Sequence, residues 1–261
     1  MYSVLLSNYE LGMELVHNNL KKIIKPTDKV VIISWTFPTE IDYETFNNVW
    51  FPKYGRRYNK YVTPLLKYGI KEENISILNC YEENKDKFKK IIDDSDILVI
   101  TGGNPEMLYS KVVQETELLY NIKYYKKLII GFSAGAELQL KRYFITAKNN
   151  YYKYFAFYDG FGVMDDPFYF DVHSINNKFY LDKLKKIALE KKKDVYAIFD
   201  DGAIVYDRKF FKINSYGNVI KFNKSEWYKV LENYRNVIFK NCLNFIILYS
   251  IIFLEVIVWY I

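Results

Sequence analysis

Between Leu128 and Arg142 the chain reads LIIGFSAGAELQLKR. Leu128, Ile129 and Ile130 form a short β-type apolar run, Gly131-Phe132-Ser133-Ala134-Gly135 follows, and good helix formers come next. The pattern predicts a strand, a sharp turn with Ser133 at its apex, and a helix. A chain that doubles back so tightly has no room for a Cβ two residues either side of the apex, and Gly131 and Gly135 leave that room. The serine hydroxyl is then pushed clear of the sheet, with the first helical amides facing any oxygen anion formed as it attacks a carbonyl.

The rest of the amino-terminal half fits a sheet that could carry such a turn. Ser3 to Leu6 reads as an edge or first strand. Lys29 to Ser34 (KVVIIS), Asn74 to Leu78 (NISIL) and Asp96 to Thr101 (DILVIT) are short β-rich runs of the kind buried in a parallel sheet. Helices are expected between them, over Tyr9 to Ile24, Tyr54 to Tyr68 with Gly69 as its stop, and Lys85 to Ile92. Strand and helix alternating at this spacing predict an α/β fold with a doubly wound, mostly parallel sheet flanked by helices. In such sheets ligands bind at the carboxyl edge, where the loop from Trp35 to Glu40 lies.

With 261 residues and no Pro/Gly/Ser-rich linker or internal repeat, the chain suits one large domain, over residues 1–222, followed by an extension over 223–261. The net charge of +6 is modest, and its lysines share helices with acids, as in EENKDKFKKIIDD, so no nucleic-acid groove is expected. Cys80 and Cys242 are far apart and form neither a disulfide framework nor a zinc site, which fits a reducing, cytoplasmic setting. The start, MYSVLLSNYELG, lacks the charged region and sustained apolar core of a secretion signal.

A nucleophilic serine needs a base, an oxyanion site and a group to orient the base. DILVIT runs into Gly102-Gly103-Asn104-Pro105, where two glycines let the backbone turn its amides outward. Asn104 and Pro105 are also ordinary helix-start residues. The Gly103 amide is a candidate second oxyanion donor beside that of Ala134. Of the two histidines, His17 falls inside the first predicted helix, so by elimination His173, after the aromatic run FYFDV, is the candidate base. Asn104 is also a candidate substrate contact. Asp194 to Val205 (DVYAIFDDGAIV) reads as strand, tight turn and strand, and either Asp200 or Asp201 could orient the His173 ring. The order serine, histidine, acid differs from the serine, acid, histidine order of α/β-hydrolases.

TGGNPEML, GFSAGAE, the histidine forty residues on and the DDGA turn together resemble the peptidase E and cyanophycinase family of serine peptidases. The resemblance spans roughly residues 1–222. It implies a flavodoxin-like sheet similar to that of class I glutamine amidotransferases, Ser133 as nucleophile, His173 as base, Gly103 and Ala134 as oxyanion donors, and Asp200 as third member, with Asp201 one residue out of register. It also implies hydrolysis of short peptides with neither a metal nor an organic cofactor. No arginine stands in Ser174 to Lys178, the segment shortly after His173 where aspartate-reading members carry basic residues. Lys178 is the cation available to hold a substrate carboxylate, as a point charge. The contrasting expectation is a non-catalytic binding or sensor protein on the same fold.

Leu243 to Ile261, LNFIILYSIIFLEVIVWYI, carries one charge, Glu255, and approaches the length of a membrane span. A carboxylate at mid-membrane costs about 2.5 kcal/mol on insertion scales. A membrane anchor, an interfacial helix, a core or dimer-packing element and an extension with no selected role are the readings this segment admits.

Overall fold

The computed structural model describes residues 1–37, 41–82, 85–146 and 154–225. Its strands are β1 (Tyr2–Leu6), β2 (Val30–Ile33), β3 (Ile75–Leu78), β4 (Ile97–Ile100), β5 (Leu128–Phe132), β6 (Arg142–Ile145), β7 (Ala156–Asp159), β8 (Tyr169–Asp171), β9 (Val195–Asp207) and β10 (Lys212–Phe222). The α-helices are α1 (Tyr9–Leu15), α2 (His17–Leu20), α3 (Tyr43–Thr45), α4 (Arg56–Leu66), α5 (Asp86–Asp94), α6 (Pro105–Gln114), α7 (Thr116–Lys123), α8 (Ala134–Glu137) and α9 (Lys178–Lys191). One eight-stranded sheet runs β10-β9-β1-β5-β4-β2-β3, with β8 paired to β9, and β6 and β7 form a small separate sheet. The block β1-β5-β4-β2-β3 is parallel throughout, and β9 joins it antiparallel to β1.

Period-two side-chain alternation decides which layer each residue joins. Val30 and Ile32 face a core with Leu20, Tyr61 and Leu65, whereas Val31 and Ile33 face a second core with Phe88, Leu108 and Leu184. The same split divides Val4 and Leu6 from Leu5, and Ile97 and Val99 from Leu98 and Ile100. Each of these aliphatic side chains contributes about 1.5–3 kcal/mol by leaving water. Helices therefore cover both faces, and the sheet is doubly wound as expected.

Four local expectations are corrected. β1 is an interior strand, between β5 and β9, because β9 returns from more than 190 residues away to cover its free edge. The helix expected over Tyr9 to Ile24 breaks at Val16, whose φ/ψ of −90°/0° separates α1 from α2. The helix after the elbow stops at Leu138, because the carbonyls of Leu138, Gln139 and Leu140 accept the N–H groups of Phe161, Met164 and Gly162 instead. Asp200-Asp201-Gly202 is not a turn. β9 runs on through it, paired with β8 before it and β1 after it, and takes up Phe199 to Asp201 as a bulge opposite Asn218 of β10. Gly202 is needed there for a different reason: a Cβ would lie 2.3 Å from the Asn218 carbonyl oxygen.

Trp35 is buried and donates its indole N–H to the Leu78 carbonyl at 2.9 Å, so it packs the β2 loop and does not line a pocket. The apolar segment 243–261 and Cys242 lie outside the described residues. Among those described, no helix is long and apolar enough to cross a membrane.

Candidate active site

The carboxyl ends of β1, β4 and β5 converge with the middle of β9 on one edge of the sheet. β5 delivers Ser133 there with φ 51° and ψ −126°, a conformation that a residue with a side chain adopts only under constraint. The constraint is steric. A Cβ on Gly131 would stand 2.1 Å from the Gly135 carbonyl oxygen, and one on Gly135 would stand 2.1 Å from that of Ile100. Below the turn, Phe132 is braced by the rings of Tyr9 and Tyr61, at 4.7 and 5.7 Å between centroids. Burial pushes the Tyr9 phenol well above its ordinary value, so the brace stays neutral.

His173 follows β8, two residues past the strand's end, again with positive φ (52°). Its Nε2 lies 2.9 Å from Ser133 Oγ and its Nδ1 lies 2.5 Å from Asp200 Oδ1. An ionised carboxylate only accepts, so Nδ1 carries the proton and Nε2 is left with a lone pair facing the serine hydroxyl. The array is open to water: the His173 and Asp200 side chains are 46% and 62% exposed.

Gly102 presses against the elbow, since a Cβ there would meet Ser133 Cβ at 2.8 Å, and Gly103 presses against Thr36, whose Oγ1 a Cβ would meet at 2.1 Å. Gly103 has φ 131°, and Thr36 donates its hydroxyl to the Gly102 carbonyl at 2.9 Å. Carbonyl and N–H point to opposite sides of one planar peptide, so fixing the Gly102 carbonyl also aims the Gly103 N–H. Neither that N–H nor the Ala134 N–H donates to an acceptor among the described residues.

Other expected residues fall elsewhere. Asn104 caps α6, its Oδ1 accepting the Met107 N–H at 3.0 Å. Lys178 is exposed at the first position of α9, whose cap is Asn177. Asp201 is exposed beside Asp200 but makes no hydrogen bond to His173. His17 packs against Tyr68 in a tilted contact, 4.8 Å between centroids, on the α1–α4 side. Cys80 is no rival nucleophile, because burial pushes its thiol up to about 11. No group of three His, Cys, Asp or Glu side chains among the described residues could hold a metal ion. Two residues that shape the site, Thr36 and Ser7, lack a sequence motif. The only signal for either was its place at the carboxyl end of a predicted strand.

A strained serine after a central strand, hydrogen-bonded to a histidine that is itself bonded to a carboxylate, defines an α/β serine hydrolase site. The family model for peptidase family S51 matches residues 56–213, and the chain belongs to that family of serine-type peptidases. Two solved structures share the fold. One, a candidate peptidase E from Listeria monocytogenes EGD-e, is 19% identical with a TM-score of 0.54, covering 83% of this chain and 98% of its own. The other, a peptidase from an acI-B1 Actinobacterium, is 15% identical with a TM-score of 0.54, covering 85% and 91%. No curated protein matches the chain in sequence.

Proposed function

We propose that the protein hydrolyses short peptides, dipeptides among them, through an acyl-enzyme on Ser133. The observation that carries this reading is the continuous chain of hydrogen bonds from Ser133 Oγ through both nitrogens of His173 to Asp200. His173 Nε2 takes the hydroxyl proton as Oγ bonds to the peptide carbonyl carbon, and the carbonyl electron pair moves onto oxygen. The Gly103 and Ala134 N–H groups stabilise that oxyanion. As it collapses, the C–N bond breaks and the imidazolium gives its proton to the departing amine. Water then repeats the sequence, losing a proton to Nε2 and releasing the acid. Asp200 holds the ring in the tautomer this needs and balances the imidazolium charge. Lys178 remains a candidate for reading a substrate carboxylate. Cys80 is free among the described residues, which accords with a cytoplasmic setting.

A fluorophosphonate probe tests the reading. Mass spectrometry is expected to find one adduct, on Ser133, absent from Ser133→Ala, while a dipeptide library reports which bonds are cut. A folded wild-type protein that takes up no probe would favour a non-catalytic binding protein. Asp200→Asn is expected to slow acylation by about 10²–10⁴-fold, the upper end being that of a buried triad acid and the lower reflecting the exposure of Asp200. Asp201→Asn should stay within about threefold of wild type, since its side chain makes no hydrogen bond to the ring. Equal, undiminished rates in both variants would remove the carboxylate from the mechanism.

A further inference from the structure

Two consecutive residues at the carboxyl end of β1 hold all three members of the Ser133–His173–Asp200 array. The Leu6 carbonyl accepts the Ser133 N–H at 2.8 Å. Ser7, 1% exposed, accepts the His173 N–H on Oγ at 2.9 Å. The same hydroxyl donates to the Ile198 carbonyl at 2.7 Å, two residues before Asp200. The Ser174 N–H also donates to the Ile198 carbonyl, at 3.0 Å, so the turn that carries the base is tied to the strand that carries the acid both directly and through the Ser7 hydroxyl, while Leu6 holds the nucleophile.

We infer that Ser7 is a positioning residue that sets the spacing between His173 and Ser133. His173 has positive φ, which a histidine keeps only when its surroundings fix it. The far side of its turn is closed by Ser174, whose Oγ donates to the Asp171 carbonyl and carboxylate at 3.0 and 3.1 Å. The near side is closed by Ser7 alone among the described side chains. A hydroxyl suits this place because it accepts from one backbone group and donates to another at once. β1 is a firm base for it, being paired along its length with β5 and β9. The inference depends on the peptidase reading, because the spacing matters only if Ser133 reacts.

The test compares fluorophosphonate labelling rates of Ser133 in wild type, Ser7→Ala, Ser7→Thr and Ser95→Ala, with melting temperatures measured alongside. Ser95 is an equally buried serine whose hydroxyl bonds to the Ile92 carbonyl at 2.8 Å and the Tyr125 hydroxyl at 2.9 Å, on the opposite edge of the sheet. Ser7→Ala is expected to label about 10–100-fold more slowly, the scale of a small misplacement of reacting groups. Ser95→Ala should melt lower by a similar amount yet label at the wild-type rate, and Ser7→Thr, which keeps the hydroxyl, should regain most of the loss. If Ser7→Ala does not fold, Ser7→Cys, with its weaker bonds, replaces it and the same ordering is expected. A Ser7→Ala rate within twofold of wild type, a Ser95→Ala slowing as large, or a folded Ser7→Thr no faster than Ser7→Ala would overturn the inference and leave the peptidase reading standing. An inert wild type would remove that reading and the positioning role with it.

Discussion

His173→Ala is expected to slow acylation of Ser133 by about 10⁴–10⁶-fold, the range seen when one member of a serine triad is removed. Among the described residues the Ser133 hydroxyl has one basic neighbour, the Nε2 atom 2.9 Å away, and without it remains a neutral alcohol at physiological pH. No second imidazole can replace it, since the other histidine is held against Tyr68. The fold should hardly respond, because the removed ring is nearly half exposed and its backbone N–H still reaches Ser7. The informative comparison is therefore labelling rate against melting temperature on the same sample. Labelling that persists at more than about a hundredth of the wild-type rate would place the base elsewhere.

Gly135→Ala is expected to destabilise the protein by about 3 kcal/mol or more, and to abolish labelling in whatever fraction folds. The new Cβ would lie 2.1 Å from the Ile100 carbonyl oxygen and 2.7 Å from that of Thr101, both backbone atoms at the end of β4. Relief requires moving either that strand or the elbow, and both belong to the site. Gly69→Ala is the control. Its φ of 81° disfavours a side chain, yet its nearest foreign atom is the flexible ring of Pro26 at 3.3 Å, so about 1–2 kcal/mol is expected. Chemical denaturation of the two variants separates the causes. A Gly135→Ala loss no greater than that of Gly69→Ala would mean that β4 and the elbow part at little cost, and that contact between them does not keep the turn free of side chains.

These two glycines show why part of the molecule could be read from its sequence. The elbow is a local device: its glycines, serine and flanking strand lie within a few residues, so spacing alone carries the geometry. The apolar runs of β2, β4 and β5 were legible for the same reason, being buried on both faces and nearly continuous. His173 could be named only because the chain has so few histidines, and its neighbour on the acid side remained a choice between two adjacent residues. β9 was misread because Asp-Asp-Gly has turn chemistry, whereas its actual conformation is imposed by β8, β1 and β10, which lie far off in sequence. The interior place of β1 was hidden likewise, and with it the importance of Ser7. A serine after a short apolar run carries no pattern until its partners at 173 and 198 are known.

The position of β1 also bears on how the protein is made. β1 leaves the ribosome before either strand it pairs with, β5 beginning at Leu128 and β9 ending at Asp207. At about 5–20 residues per second, some 10–40 s separate synthesis of β1 from that of the last strand segment it needs. Until then one apolar edge of β1 is unpaired, and Ser133, already translated, has neither His173 nor Asp200 beside it. The acylation proposed for Ser133 would become possible only when nearly the whole sheet has closed.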